Sequence, residues 1–311
     1  MDTHALRVFI RLGRFPFLLS GFIPFTAGAL FGFLLGARFT PGEFLFGYAA
    51  MAAAHLSVHY SNDYFDADAD RFVETTAISG GSGVLAAHPG LKPAALAAAV
   101  ALMAASILIG YLFVAVYDYP MIFLAFGIAG NLLGWFYTAP PFALAYNNLG
   151  EVANVITFGL LMPGAGYFVA TGRLDPAFFA FAIPFALYGL VFIVSVEIPD
   201  REGDIAGGKR TLVVRRGRIF GFCLIAAAAA LATAAFALFA LTGILSPVDF
   251  RPVAVFSLVP LAIALRGLSN RSAGRAGALP HAVANIRGYF IFQTLLALYL
   301  LITAAGSLLS P

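Results

Sequence analysis

The chain has 311 residues, 61% of them hydrophobic and 11% charged, with a formal net charge of +3, and its mean hydropathy is +0.92. Such apolarity is far above that of a water-soluble domain and makes the lipid bilayer the solvent. A lone Cys223 excludes an intrachain disulfide, a zinc ribbon and a thiolate-held cluster, and basic residues scattered in short segments between apolar runs exclude nucleic acid as a partner.

A helix needs about 20 apolar residues to cross ~30 Å of hydrocarbon. Nine runs are expected to do so: 15 to 36, 44 to 62, 94 to 116, 120 to 140, 151 to 170, 177 to 197, 219 to 242, 252 to 265 with its flanks, and 288 to 308. Ala27, Gly28 and Ala29 in the first run mimic a signal-peptide cleavage site, but the run continues through Leu35 and eight others follow, so the segment is expected to stay. With the N-terminus in the cytoplasm, fifteen Lys and Arg fall on inner segments and only Arg38, Arg173 and Arg251 on outer ones. The expected protein is an all-α polytopic bundle of nine transmembrane helices, one domain over residues 1 to 311, in the inner (plasma) membrane. A cytoplasmic cap is expected from the long polar inner loops, about 63 to 92, 198 to 218 and 266 to 287, with the C-terminus outside.

The second run carries His55 and His59 and ends in NDYFDADAD, residues 62 to 70, where four aspartates and an asparagine crowd into nine residues. Like charges about 5 Å apart repel by roughly 3 kcal/mol per pair at an effective dielectric near 20, so something must neutralise them. At about 100° per residue, Asn62, Asp63, Asp66 and Asp70 share one helix face and Asp68 points away. An EF-hand is excluded, because Arg71 stands where its loop needs glycine and Ala77 where it needs glutamate. The following GSGVLA fits a dinucleotide pattern, but no strand precedes it, so it reads as a flexible lid.

The sixth run ends in a matching cluster, EIPDREGD, in which Glu197, Asp200 and Asp204 share a face and Glu202 does not. Solvated Asp-rich loops could explain one such cluster, but not two with the same spacing at the same membrane mouth, where acids are expensive. Oxygen ligands without a cysteine or histidine cluster select a hard cation, Mg²⁺ with Mn²⁺ possible, shared with the oxygens of a diphosphate. Beyond the second cluster, Lys209 and Arg210 are placed to meet phosphate, whereas Arg215, Arg216 and Arg218 are read as topology and headgroup contacts.

These residues resemble the UbiA superfamily of intramembrane prenyltransferases, whose N-D-x-x-D-x-x-x-D and D-x-x-x-D signatures stand intact at Asn62 to Asp70 and Asp200 to Asp204. The resemblance implies Mg²⁺-dependent transfer of a prenyl group from a polyprenyl diphosphate to an aromatic acceptor, in a cavity open to lipid. It assigns metal binding to Asn62, Asp63, Asp66, Asp70, Asp200 and Asp204, and catalysis to Asp66, Asp200 and Lys209. Diphosphate falls to Lys209, Arg210 and Arg14, the last equally explained as a positive-inside flank. Tyr137, His59, Asn131 and Asn154 are assigned to the acceptor pocket, though interhelical hydrogen bonds would serve equally for the last three. The stretches WFYTAPPFALAYNNLGE, SGGSGVL and GKRTLVVRRG look most like the branch acting on 1,4-dihydroxy-2-naphthoate for menaquinone. The hydroxybenzoate branch carries a lysine four positions after its tyrosine, where Tyr137 is followed here by Pro141. Other acceptors, such as geranylgeranylglyceryl phosphate or phenazine precursors, use the same scaffold. An ion-coupled transporter is the rival class, but its acids would sit near the midplane rather than at one mouth.

Overall fold

The computed structural model describes residues 3 to 74, 76 and 79 to 309, and among them there are helices and turns but no strand. A short amphipathic helix, α1 (Thr3–Leu12), buries Val8 and Leu12 and leaves Arg7, Ile10 and Arg11 exposed. Arg14 then takes a left-handed conformation with φ 41 and turns the chain into α2 (Leu19–Leu34). The remaining helices are α3 (Pro41–Asp66), α4 (Lys92–Tyr117), α5 (Ile122–Trp135), α6 (Gly150–Thr171), α7 (Pro176–Ala206), α8 (Leu212–Thr242), α9 (Arg251–Ser269) and α10 (Arg275–Leu309).

Local sequence sets their limits. Pro41 and Pro176 open α3 and α7 where no backbone donor is needed. Asp175 and Thr211 cap α7 and α8 by accepting the Phe178 and Val214 N–H groups. Gly172 and Gly243 close α6 and α8 in the left-handed conformation. Within α6, one π turn (Thr157–Leu161) precedes Pro163, whose missing N–H interrupts the regular ladder.

Among the described residues, seven helical segments are long and apolar enough to cross a membrane, so this is a multi-pass membrane protein. The expected runs 44 to 62 and 120 to 140 correspond to α3 and α5, which fall outside that set. α3 carries histidines and acids along its C-terminal half, and α5 has only 14 residues. A second difference lies in the polar segments expected as inner loops. Residues expected in loops are largely helical: α7 runs on to Ala206, α8 starts at Leu212 and α10 at Arg275. Backbone hydrogen bonds are internal to a helix, so leaving the hydrocarbon does not end it.

Close backbone contacts hold α2 against α6. A Cβ on Gly28 would lie 1.9 Å from the Pro163 carbonyl oxygen, and one on Gly166 would lie 1.8 Å from that of Phe25. Only glycine lets α2 and α6 approach so far, the small-residue packing that replaces the hydrophobic effect in lipid. On one side α2 packs with α6 to α10 through an aromatic core in which Phe31 and Phe181 stack at 4.2 Å. On the other, α3 lies along α4 and α5. Between these groups a cavity opens at the end where both acidic clusters lie.

Candidate active site

The cavity has a volume of about 400 Å³. Asn62, Asp63, Asp66 and Asp70 enter it from the end of α3 and the 3-10 turn that follows, and Asp200 and Asp204 from α7 opposite. Asp68 is exposed and pairs with Arg71 and Lys92, as its angular position requires. Two of the inward acids, Asp63 and Asp66, are ion-paired. Arg14 Nη2 meets Asp63 Oδ1 at 2.9 Å, and Ser82 donates to the other Asp63 oxygen. Lys209 Nζ lies 2.7 Å from Asp66 Oδ2, while the Tyr146 hydroxyl donates to Asp66 Oδ1 at 2.8 Å. Thr138 Oγ1 donates to Asn62 Oδ1 at 3.0 Å.

Five aspartates thus face two cations, Arg14 and Lys209, leaving an excess of negative charge. The strain shows in the titration of groups outside the membrane spans. Burial, with Asp66 and Asp63 adding to it and Lys209 opposing, pushes Asp70 up to about 7. For Lys209 burial acts downward, but Asp66, Asp204 and Asp70 outweigh it and hold the ammonium charged well above the usual lysine range.

The donor set fits a magnesium ion. It is built of carboxylate and amide oxygens, it carries surplus negative charge, and buried Asp200 Oδ1 lacks a hydrogen-bond partner. It is not a ready-made cage: among the described residues no three or more His, Cys, Asp or Glu gather into a metal-holding group. Such openness suits Mg²⁺, which keeps water and phosphate oxygens in its shell and takes few ligands from protein.

Below the acids the wall turns apolar, with Phe126, Leu133, Phe158, Leu161 and Met162. Tyr137, His59, Asn131 and Asn154 also line it, joined by His55. His59 Nδ1 is bonded to the Gly13 carbonyl at 2.7 Å, and Asn131 donates to Ser106 and Gly127. Asn154 Oδ1 and His55 Nδ1 are buried without a hydrogen-bond partner among the described residues.

Three expectations change. Arg210 is exposed and absent from the cavity wall, while its neighbour Lys209 points in; its backbone N–H instead donates to the Ala145 carbonyl. Arg218 is buried rather than at headgroups, bonding the Ile198 and Ala273 carbonyls and pairing with Glu202. Glu197 shares a helix face with Asp200 but is absent from the cavity wall. Of the GSGVLA segment, expected to be a flexible lid, Gly81 lines the cavity, where a Cβ at φ +63 would strike Asp70 Oδ2 at 2.2 Å, while Val84–Ala87 form a short helix with Val84 and Leu85 buried. Tyr146, Thr138 and Ser82 escaped the sequence reading, because only long-range contacts bring them to the acids.

Comparison with known proteins bears on this geometry. The chain is 27% identical over 247 residues to the 1,4-dihydroxy-2-naphthoate octaprenyltransferase of Bacillus subtilis (strain 168), covering 78% of this chain and 76% of that protein. A protein of the same name from Haemophilus influenzae is 31% identical over 119 residues, 37% of this chain and 38% of that one. Among solved structures, a UbiA homolog from Archaeoglobus fulgidus bound to DMAPP and Mg²⁺ superposes with a TM-score of 0.71 at 17% identity, covering 95% of this chain and 98% of the other. The model of the UbiA prenyltransferase family matches residues 22–286, a stretch that takes in both acidic motifs. The chain belongs to the UbiA prenyltransferase family.

Proposed function

We propose that this enzyme transfers a prenyl group from a polyprenyl diphosphate to 1,4-dihydroxy-2-naphthoate, with Mg²⁺ as cofactor, at a site on the cytoplasmic side of a nine-span bundle. One observation carries the reading: two acidic helix ends converge on a single cavity whose mouth is anionic and whose wall is apolar. A diphosphate headgroup with an apolar tail matches both ends, and the tail need not leave the bilayer. The naphthoate acceptor is supported by the name of the Bacillus subtilis relative and by Pro141, which stands where a hydroxybenzoate enzyme would carry lysine. The excess of inner basic residues supports a cytoplasmic N-terminus.

Asn62, Asp63, Asp66, Asp70, Asp200 and Asp204 would hold the metal, which when bound draws charge from the leaving diphosphate and favours ionisation of the allylic C–O bond. Lys209 and Arg14 add positive charge at the same mouth and bind phosphate oxygens. Tyr146 and Thr138 fix the orientation of Asp66 and Asn62. The aromatic wall excludes water from the allylic carbon and presents ring faces to positive charge developing there.

Purified protein in detergent, given Mg²⁺ and geranylgeranyl diphosphate, is expected to prenylate 1,4-dihydroxy-2-naphthoate and not 4-hydroxybenzoate, scored by product mass. Turnover of hydroxybenzoate alone would reject the acceptor, and no prenylated product with any aromatic acceptor would reject the reading.

A further inference from the structure

Lys209 extends from a five-residue connection between α7 and α8 that contains Gly207 and Gly208, the latter at φ 82. Two glycines would leave it mobile, yet its amides are tied down. The Lys209 N–H donates to the Asp204 carbonyl at 2.9 Å and that of Arg210 to Ala145 at 3.3 Å. The next two ties end on side chains: Leu212 N–H donates to Glu151 Oε1, and Val213 N–H to Glu197.

These two glutamates come from different helices, α6 and α7, and are 5% and 4% exposed. They lie within hydrogen-bond reach of each other, and neither takes part in an ion pair among the described residues. Both carboxyl groups meet the N-terminus of the 31-residue α8, where the helix dipole favours negative charge.

We propose that Glu151 and Glu197 form a carboxyl clamp on the first turn of α8 that positions the Lys209 ammonium against Asp66. Neither glutamate lines the cavity, so both are positioning residues that act through Lys209. The weight of the clamp in turnover rests on the proposed role of Lys209, whereas the position of the lysine can be read directly.

Lys92 is the only other lysine in the chain and serves as an internal reference. Brief acetylation of the full-length protein in detergent, followed by peptide mass spectrometry, gives the labelling ratio of Lys209 to Lys92. Glu197→Ala is expected to raise that ratio at least about tenfold, the weight of one lost hydrogen bond to a charged group. Glu197→Gln should keep the wild-type ratio, because its amide oxygen accepts from Val213 and its NH₂ donates to Glu151. Leu212→Pro removes the N–H that Glu151 accepts, at a first-turn position where proline is compatible with the helix, and should also raise the ratio. The clamp is overturned by a ratio within about twofold of wild type in Glu197→Ala and Leu212→Pro, or by Glu197→Gln labelling as fast as Glu197→Ala. If the ratios respond as expected but Lys209→Met leaves the donor KM unchanged, the clamp stands and the diphosphate role of Lys209 falls.

Discussion

Asp204→Asn should act in opposite directions with and without metal. Five aspartates and two cations line the cavity, and Asp70, at about 7, is roughly half protonated near neutral pH. The mouth is therefore anionic before any donor arrives. Across a cavity of about 400 Å³, a diphosphate charge and a carboxylate some 6 Å apart repel by about 3 kcal/mol at an effective dielectric near 20. Burial pushes Asp204, too, up to about 7, so above that pH, where it is charged, neutralising it in metal-free protein should tighten donor binding by up to about 100-fold, less what salt screens. With Mg²⁺ present the same change removes an oxygen ligand, and donor affinity should fall at least about tenfold. Titration calorimetry with an unreactive thio analogue of geranylgeranyl diphosphate, in Mg²⁺ and then in EDTA, measures both. A change of the same sign in the two conditions would refute the view that these carboxylates repel the donor and grip it only through metal.

Lys209→Met should lower kcat/KM by about two orders of magnitude or more, since it strips the partner from a buried Asp66 as well as a phosphate contact, whereas Arg210→Ala, on the exposed side, should stay within about twofold. Equal losses in steady-state assays would place Arg210 at the site after all. Gly166→Ala forces a Cβ to 1.8 Å from the Phe25 carbonyl and should destabilise by about 1 to 3 kcal/mol or more. Gly127→Ala, with nothing within 4 Å of its Cβ, should hold or raise the melting temperature in detergent. The raised carboxyl of Asp70 keeps its proton below about 7, and a metal must displace it. Mg²⁺ affinity should therefore be full above that pH and fall as pH drops through it; an affinity flat between about pH 6 and 8 would count against Asp70 as a ligand.

Hydropathy and spacing by themselves made this a multi-pass helical membrane protein with two acidic helix ends, because both signals are local: an apolar run reports its solvent, and a 3.6-residue period reports which side chains share a face. Asn62, Asp63, Asp66, Asp70, Asp200 and Asp204 were all legible on that basis, and all six line the cavity. Where helices end in water was not legible, since α7 and α10 run on through charged sequence without any change in their backbone bonding. Neighbouring charges also parted company. Beyond the left-handed Gly208, Lys209 points in and Arg210 out, and Glu197, a turn before Asp200, meets Glu151, 46 residues away in the chain. Which partner a buried charge finds depends on helices meeting across the bundle, and that packing alone put Arg14 on Asp63, Tyr146 on Asp66 and Arg218 on Glu202.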